Sequence, residues 1–262
     1  SDGTSNFIET NYNSIQLLKN TKSTGLIYSS NRLLNLTKAK YAITLADDAP
    51  IVSQNPFEVI DNFFECNKKC AVIAFRIFWG NILPNKISHS LENKRVKGFV
   101  GCGHVWRMDA WRGIPNYPDW FIFYGEEEFA GFQLLKNNWE IWFVPDILVH
   151  HRVDIKKRKK DKDYQIRLRR SLRSGWYLYF LFYPLKLIPK KIAYTLWIQL
   201  KLKVFKGDFK AFLAVFQALG DVIINIPRLM KNTNRLSKKE FITYSKLPET
   251  KLYWTLENDK KI

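Results

Sequence analysis

Acidic residues are scarce in this chain: 24 Asp and Glu stand against 42 Lys and Arg, for a formal net charge of +18. Such a surface disfavours cationic partners and leaves anionic ones, namely nucleic acid, anionic lipid headgroups or phosphorylated small molecules. Cysteine is scarce too, with three among 262 residues. An odd number, Cys66, Cys70 and Cys102, behind an N-terminus with no apolar leader, fits a reducing compartment better than a disulfide framework. Cys66 and Cys70 also lack the spacing and the second pair of a zinc site, which leaves them as spectator thiols. No stretch reaches the roughly 18 uncharged apolar residues of a spanning helix, so a transmembrane segment is not expected. No internal repeat is evident. What is abundant is apolar material: 46% hydrophobic and 15% aromatic residues exclude disorder and suffice for one large domain or a domain with an appendage.

The pattern along the chain is that of a layered α/β protein. Over 25–49, "GLIYSSNRLLNLTKAKYAITLADDA" reads as a short strand at Leu26 to Tyr28, a helical stretch around Asn31 to Ala39, and an apolar strand Tyr41 to Leu45 running into Asp47 and Asp48. A helix is expected from about Pro56, a strand at "CAVIAFRIF", and then the glycine-punctuated "VKGFVGCGHVWRMDAWRGI" leading into a helix. "YGEEEFAGFQLLKNN" carries apolar residues at Phe129, Phe132 and Leu135 behind Gly125, the mark of a helix with one buried stripe and three acids in its first turn. "EIWFVP" is the last strand, and by alternation His150 and His151 beyond it point to opposite faces. In such folds ligands collect at the carboxyl ends of the strands.

Each chemical candidate has a plainer reading. Asp47 and Asp48 suit a turn as well as a site for Mg²⁺ or Mn²⁺ held against ligand phosphates. The positive end of a helix favours anions by roughly 0.3–1 kcal/mol each, which accounts for acids at a helix start and would keep a carboxylate ionised as a general base requires. Taken in order, however, "SDGTSN", "NRLLNLTKAKYAITLADDA", "GFVGCGHVWRMDAW", "FYGEEEFAGFQLLKNNWEIWFVP" and "LVHHR" resemble the succession of motifs in glycosyltransferase family 2. The resemblance covers residues 1 to about 152, and the tail resembles the appendage of many bacterial members.

That resemblance implies a GT-A fold, a Rossmann-like nucleotide-sugar-binding α/β sandwich over 1–152, followed by a helical, basic and aromatic region over 153–262. It implies an inverting transfer from a nucleotide-diphosphate sugar with a divalent metal, Mg²⁺ or Mn²⁺. By position, Asp2 matches the aspartate of the turn near the nucleotide, while Asp47 and Asp48 match the second and third acids of the metal motif. Gly101 and Gly103 match the loop that lets backbone approach the donor sugar, Glu127 the catalytic base, and His150 the histidine that completes the metal shell. Ala46 stands where the first motif acid lies, so metal binding rests on Asp48. Phe129 replaces an acid after the base, and the strand expected before "SDGTSN" is missing, as in a trimmed N-terminus.

The tail "GWYLYFLFYPLKLIPKKIAYTLWIQLKLKVF" is read either as interfacial helices, with Trp176, Tyr177, Tyr179 and Trp197 at headgroup depth beside lysines, or as a helical subdomain packed on the core. The expectation is a peripheral enzyme at the cytoplasmic face of the cell membrane, acting in cell-envelope polysaccharide biosynthesis on a glycan or lipid-linked acceptor. Two alternatives stand beside it. One is a degenerate glycosyltransferase-like domain that binds without turnover. The other is a nucleic-acid-binding protein, which would give no role to Asp48, the glutamate turn or His150.

Overall fold

The computed structural model describes residues 3–83, 87–154, 161–250 and 252–253. Its centre is a mixed sheet in the order β1 (Tyr41–Leu45), β4 (Gly103–Arg107), β2 (Cys70–Trp79), β5 (Glu140–His151), β3 (Lys94–Val96), with β6 (Leu252–Tyr253) pairing to β2. β2 and β5 are parallel, whereas β4 runs antiparallel to both β1 and β2, so β1, β2 and β5 all end at one edge. β2 is buried along nearly its whole length, which explains its uninterrupted apolar run. β5 is longer than the expected "EIWFVP" because it passes through Pro145. Pro145 has no N–H to give the ladder, and the pairing with β2 skips from Val144 opposite Phe75 to Leu148 opposite Arg76.

Among the described residues the sheet is flanked by α1 (Thr4–Asn11), α2 (Leu26–Leu36), α3 (Pro56–Cys66), the short α4 (Met108–Arg112), α5 (Glu126–Lys136) and α6 (Tyr164–Phe182). The strand expected at Leu26 to Tyr28 is instead the first turn of α2. Gly25 supplies the positive φ, 88°, that starts the helix, and Ile27 and Leu34, seven residues apart, bury its inner face. Asn31 then ties α2 to a distant loop: it donates to the Tyr117 carbonyl at 2.8 Å and accepts from the Tyr117 N–H at 3.0 Å.

After α6 the described residues form α7 (Ile188–Leu202), α8 (Phe209–Lys231) and α9 (Lys238–Lys246). α5 is buried on more than a single stripe: Phe129, Ala130, Phe132, Gln133 and Leu134 are all enclosed. The enclosure comes from α6, whose Phe182 stacks on Phe132 at 4.7 Å between ring centroids, and from Tyr244 of α9 at 4.6 Å from the same ring. The helices after residue 160 therefore share a core with the sheet region. Trp176 and Tyr177 are 1% exposed within it, so neither sits at a headgroup depth. All three cysteines are free thiols, and burial pushes that of Cys70 up to about 12.

Candidate active site

A cleft of about 520 Å³ opens at the sheet edge where β2 ends. Trp79 closes β2 at its floor, residues Lys97 to Val100 form one wall, and Tyr124, Gly125, Glu127 and Glu128 form another. Ser171, Ser174, Gly175 and Leu178 of α6 and Tyr244, Glu249 and Thr250 near the C-terminus complete it. The volume is that of a small-molecule site.

The wall before α5 is a strained turn. Ile122 and Tyr124 have φ of 70° and 71°, and Gly125 has 89°. A β-branched residue in that region is an outlier that surrounding structure must hold in place. Arg173 of α6 holds it by donating to the Phe121 carbonyl, and Ser174 Oγ donates to the Phe123 carbonyl at 3.4 Å. Phe121 itself is buried against Trp120, Phe129 and Tyr177. The turn thereby fixes where α5 begins and which glutamate meets the Gly101 loop.

Glu127 is that residue. Its Oε1 accepts the Gly101 N–H at 3.0 Å, and a side chain at Gly101 would bring a Cβ to 2.6 Å from that oxygen, so the glycine admits the carboxyl. The loop carrying Gly101 is closed by His104, whose ring Nδ1 meets the Val100 carbonyl at 3.1 Å. Burial holds that imidazole neutral, with its pKa lowered to about 4. Gly103 has a different reason to be glycine: it starts β4 with Val149 and Ile77 only 3.0 and 3.1 Å from where a Cβ would stand, so it serves sheet packing.

The helix N-terminus does not outweigh burial at these acids. Burial first, and then the charges of Glu126 and Glu128, push the Glu127 carboxyl well above 4.5. Glu126 is lifted to about 7, chiefly by burial, and Glu128 is raised by the protein around the cleft. A dipole contribution of roughly 1 kcal/mol is smaller than the cost of burying charge.

The other expected residues divide. Asp2 lies outside the described residues. Asp47 is exposed in the turn after β1, away from the cleft lining. Asp48 is brought to β5 because residues 48–52 zip along it: His150 N–H donates to the Pro50 carbonyl at 3.0 Å, and Arg152 N–H to the Asp48 carbonyl at 2.9 Å. The imidazole that reaches Asp48 is that of His151, with Nε2 3.2 Å from Oδ1. His150 turns the other way and donates from Nε2 to the Gly80 carbonyl at 2.7 Å, which occupies that nitrogen. The imidazole beside Asp48 is therefore that of His151 and not that of His150. His151 packs on Trp79 with ring centroids 4.5 Å apart, and Trp79 links the pair to the cleft floor. Among the described residues no group of three His, Cys, Asp or Glu could hold a metal by itself.

No protein-family model matches the chain, and no curated protein matches it in sequence. Solved structures do match in fold. One is the mannosyltransferase PcManGT from Pyrobaculum calidifontis in complex with GDP-Man and Mn²⁺, at TM-score 0.51 and 10% identity over 94% of this chain and 66% of that one. Another is GalNAc-T7 with UDP, GalNAc and Mn²⁺, at TM-score 0.49 and 10% identity over 68% of this chain. The chain spans only 42% of GalNAc-T7 and just under two thirds of PcManGT. At that identity the likeness is one of fold: a mixed α/β sheet with flanking helices, as in GT-A glycosyltransferases.

Proposed function

We propose that the chain is a glycosyltransferase of the family 2 type, bacterial in kind, moving a sugar with inversion from a nucleotide-diphosphate sugar to a hydroxyl of a glycan or lipid-linked acceptor at the cytoplasmic face of a cell membrane. The observation that carries the reading is Glu127: one carboxyl oxygen held by the Gly101 N–H, facing a cleft of ligand size at the carboxyl edge of the sheet. In the reaction the acceptor hydroxyl loses its proton to Glu127 as its oxygen bonds to the anomeric carbon. The bond from that carbon to phosphate breaks on the opposite face, and its electron pair leaves with the diphosphate. A carboxyl with a raised pKa is a strong base once ionised, so turnover should rise with pH through a limb displaced upward from 4.5.

Asp48 and His151 suit a divalent cation as partial ligands. Ions of this kind take one or two protein ligands and complete their shell from water and phosphate. The Asp48 carboxylate and the His151 imidazole, 3.2 Å apart, are the two groups that would hold it. When bound, such a cation would neutralise charge developing on the leaving diphosphate. Ala46, standing where the first acid of the family's metal motif lies, favours a second reading, a domain that binds donor without turning it over.

One experiment separates them. The full-length protein is offered a panel of nucleotide sugars with Mg²⁺ or Mn²⁺, and products are read by mass spectrometry. The expected result is transfer that Glu127→Gln lowers by roughly 10²–10⁴-fold with donor binding intact, while Asp48→Asn and His151→Ala weaken metal-dependent donor binding. Donor binding without product from any sugar supports the second reading, and full activity in Glu127→Gln overturns the first.

A further inference from the structure

We infer that the outer face of α7 and α8 is a docking surface for an anionic lipid bilayer, on which the protein lies without crossing it. α8 has the length and apolar composition of a spanning helix, yet only a minority of it is buried. Its inner face, Ala211, Ala214, Val215, Ala218 and Val222, packs on α6. Its outer face should then be polar in a protein surrounded by water. Instead Phe209, Phe216, Ile223 and Met230 recur there at intervals of seven, and Ile223 and Ile224 are 66% and 77% exposed.

The surface continues onto the neighbouring helix. Tyr194 and Trp197 of α7 and Phe205 after it are exposed, Phe205 by 68%. Trp197 and Phe205 lie 6.3 Å apart between ring centroids. Around these apolar groups the sequence from 185 to 207 has six lysines and no acid. Apolar and aromatic side chains ringed by lysine are complementary to a headgroup layer of negative charge, with the rings inserted and the ammonium groups in water. A protein partner would need a matching acidic rim, and a second copy of this chain, at +18, would bring lysines against lysines.

Lying on the bilayer rather than crossing it agrees with what α8 keeps on its inner side. Asp221 binds Arg169 through both carboxylate oxygens, at 2.6 and 2.7 Å, and its carbonyl accepts from the Tyr177 hydroxyl at 3.1 Å. These contacts tie α8 to α6 along a face opposite the one through which Ser171, Ser174, Gly175 and Leu178 line the cleft. The bilayer would therefore lie two helix layers, about 20 Å, from the cleft wall. The docking surface stands on this face alone; only its bearing on a membrane-borne acceptor rests on the transferase reading.

The test is flotation of the full chain with vesicles of phosphatidylcholine alone and of a phosphatidylcholine–phosphatidylglycerol mixture, alongside its mass in solution. The expected result is recovery with the anionic vesicles, weakened by salt, and a drop of roughly tenfold or more in Phe216→Ser/Ile223→Ser/Ile224→Ser, whose changes are all at exposed positions. Lys190→Glu/Lys191→Glu should lower binding to the anionic vesicles selectively. Equal recovery with both vesicle types, or with neither, overturns the inference. So does a dimer that the triple variant converts to monomer while lipid binding persists. Because no outcome depends on sugar transfer, failure here is distinguishable from failure of the transferase reading.

Discussion

Glu126, Glu127 and Glu128 share one helical turn yet meet three surroundings. Glu126 is 8% exposed, points away from the cleft lining and leaves its Oε2 without a partner. Glu127 faces the cleft with one backbone donor, and Glu128 faces it more openly. Since Glu126 is raised from 4.5 to about 7 by burial, the folded state binds its proton more tightly than the unfolded chain does. The stability it contributes is fully present below pH 4.5 and is lost as pH rises through about 7. Glu126→Gln keeps the shape and cannot ionise. The variant should match the wild type near pH 4 and exceed it at pH 8, by on the order of 2–3 kcal/mol in urea unfolding. A stability difference that does not change with pH would show that the side chain is hydrated after all.

At the scale of elements, the turn before α5 depends on α6. Arg173 donates to the Phe121 carbonyl and lies 3.7 Å from Asp221, which Arg169 also binds. Arg173→Met preserves most of the volume and leaves Asp221 its other arginine, but the Phe121 carbonyl loses its donor beneath two residues of positive φ. The expected cost is about 1–3 kcal/mol of unfolding free energy, together with a lower turnover that Arg169→Met does not reproduce. Unchanged turnover in Arg173→Met would mean that the turn holds itself. Elements of this kind were partly legible. The apolar runs at Tyr41 to Leu45 and Cys70 to Phe78 predicted strands, and the periodicity behind Gly125 predicted α5. Leu26 to Tyr28 misled because its residues favour strands, while the helix there is decided by Gly25 and by burial of Ile27 and Leu34 together. Between His150 and His151 no local signal chooses: adjacent residues face opposite ways, and only the zipping of residues 48–52 along β5 determines which meets Asp48.

At the scale of the whole molecule, the cleft is assembled from segments as far apart in sequence as Trp79 and Thr250, which is why its far walls could not be read from motifs. The last described residues show this best. The Lys97 N–H donates to the Pro248 carbonyl at 3.1 Å, Thr250 Oγ1 donates to the Gly98 carbonyl at 2.5 Å, and β6 then runs parallel to Ile77 and Phe78 of β2. Lys97 also pairs with Glu249 at 2.5 Å, but the Glu249 carboxylate is 77% exposed and such a pair contributes at most about 1 kcal/mol. The backbone bonds and the added strand therefore do most of the tethering. What they tether is the Lys97 to Val100 wall, which leads directly into the Gly101 N–H that holds Glu127. Ending the chain after Leu247 should release that wall while leaving β2, β4, β5 and α5 to α9 intact, since none of their core residues lies beyond it. The expected outcome is a circular dichroism spectrum close to that of the parent and a fall in turnover of tenfold or more, roughly what a misplaced catalytic group costs. Glu249→Gln alone should have a small effect, because it removes only the exposed pair. A shortened chain with undiminished turnover would show that the segment merely lies across the cleft, and equal losses in both variants would mean that the carboxylate of Glu249, and not the strand, is what the site uses.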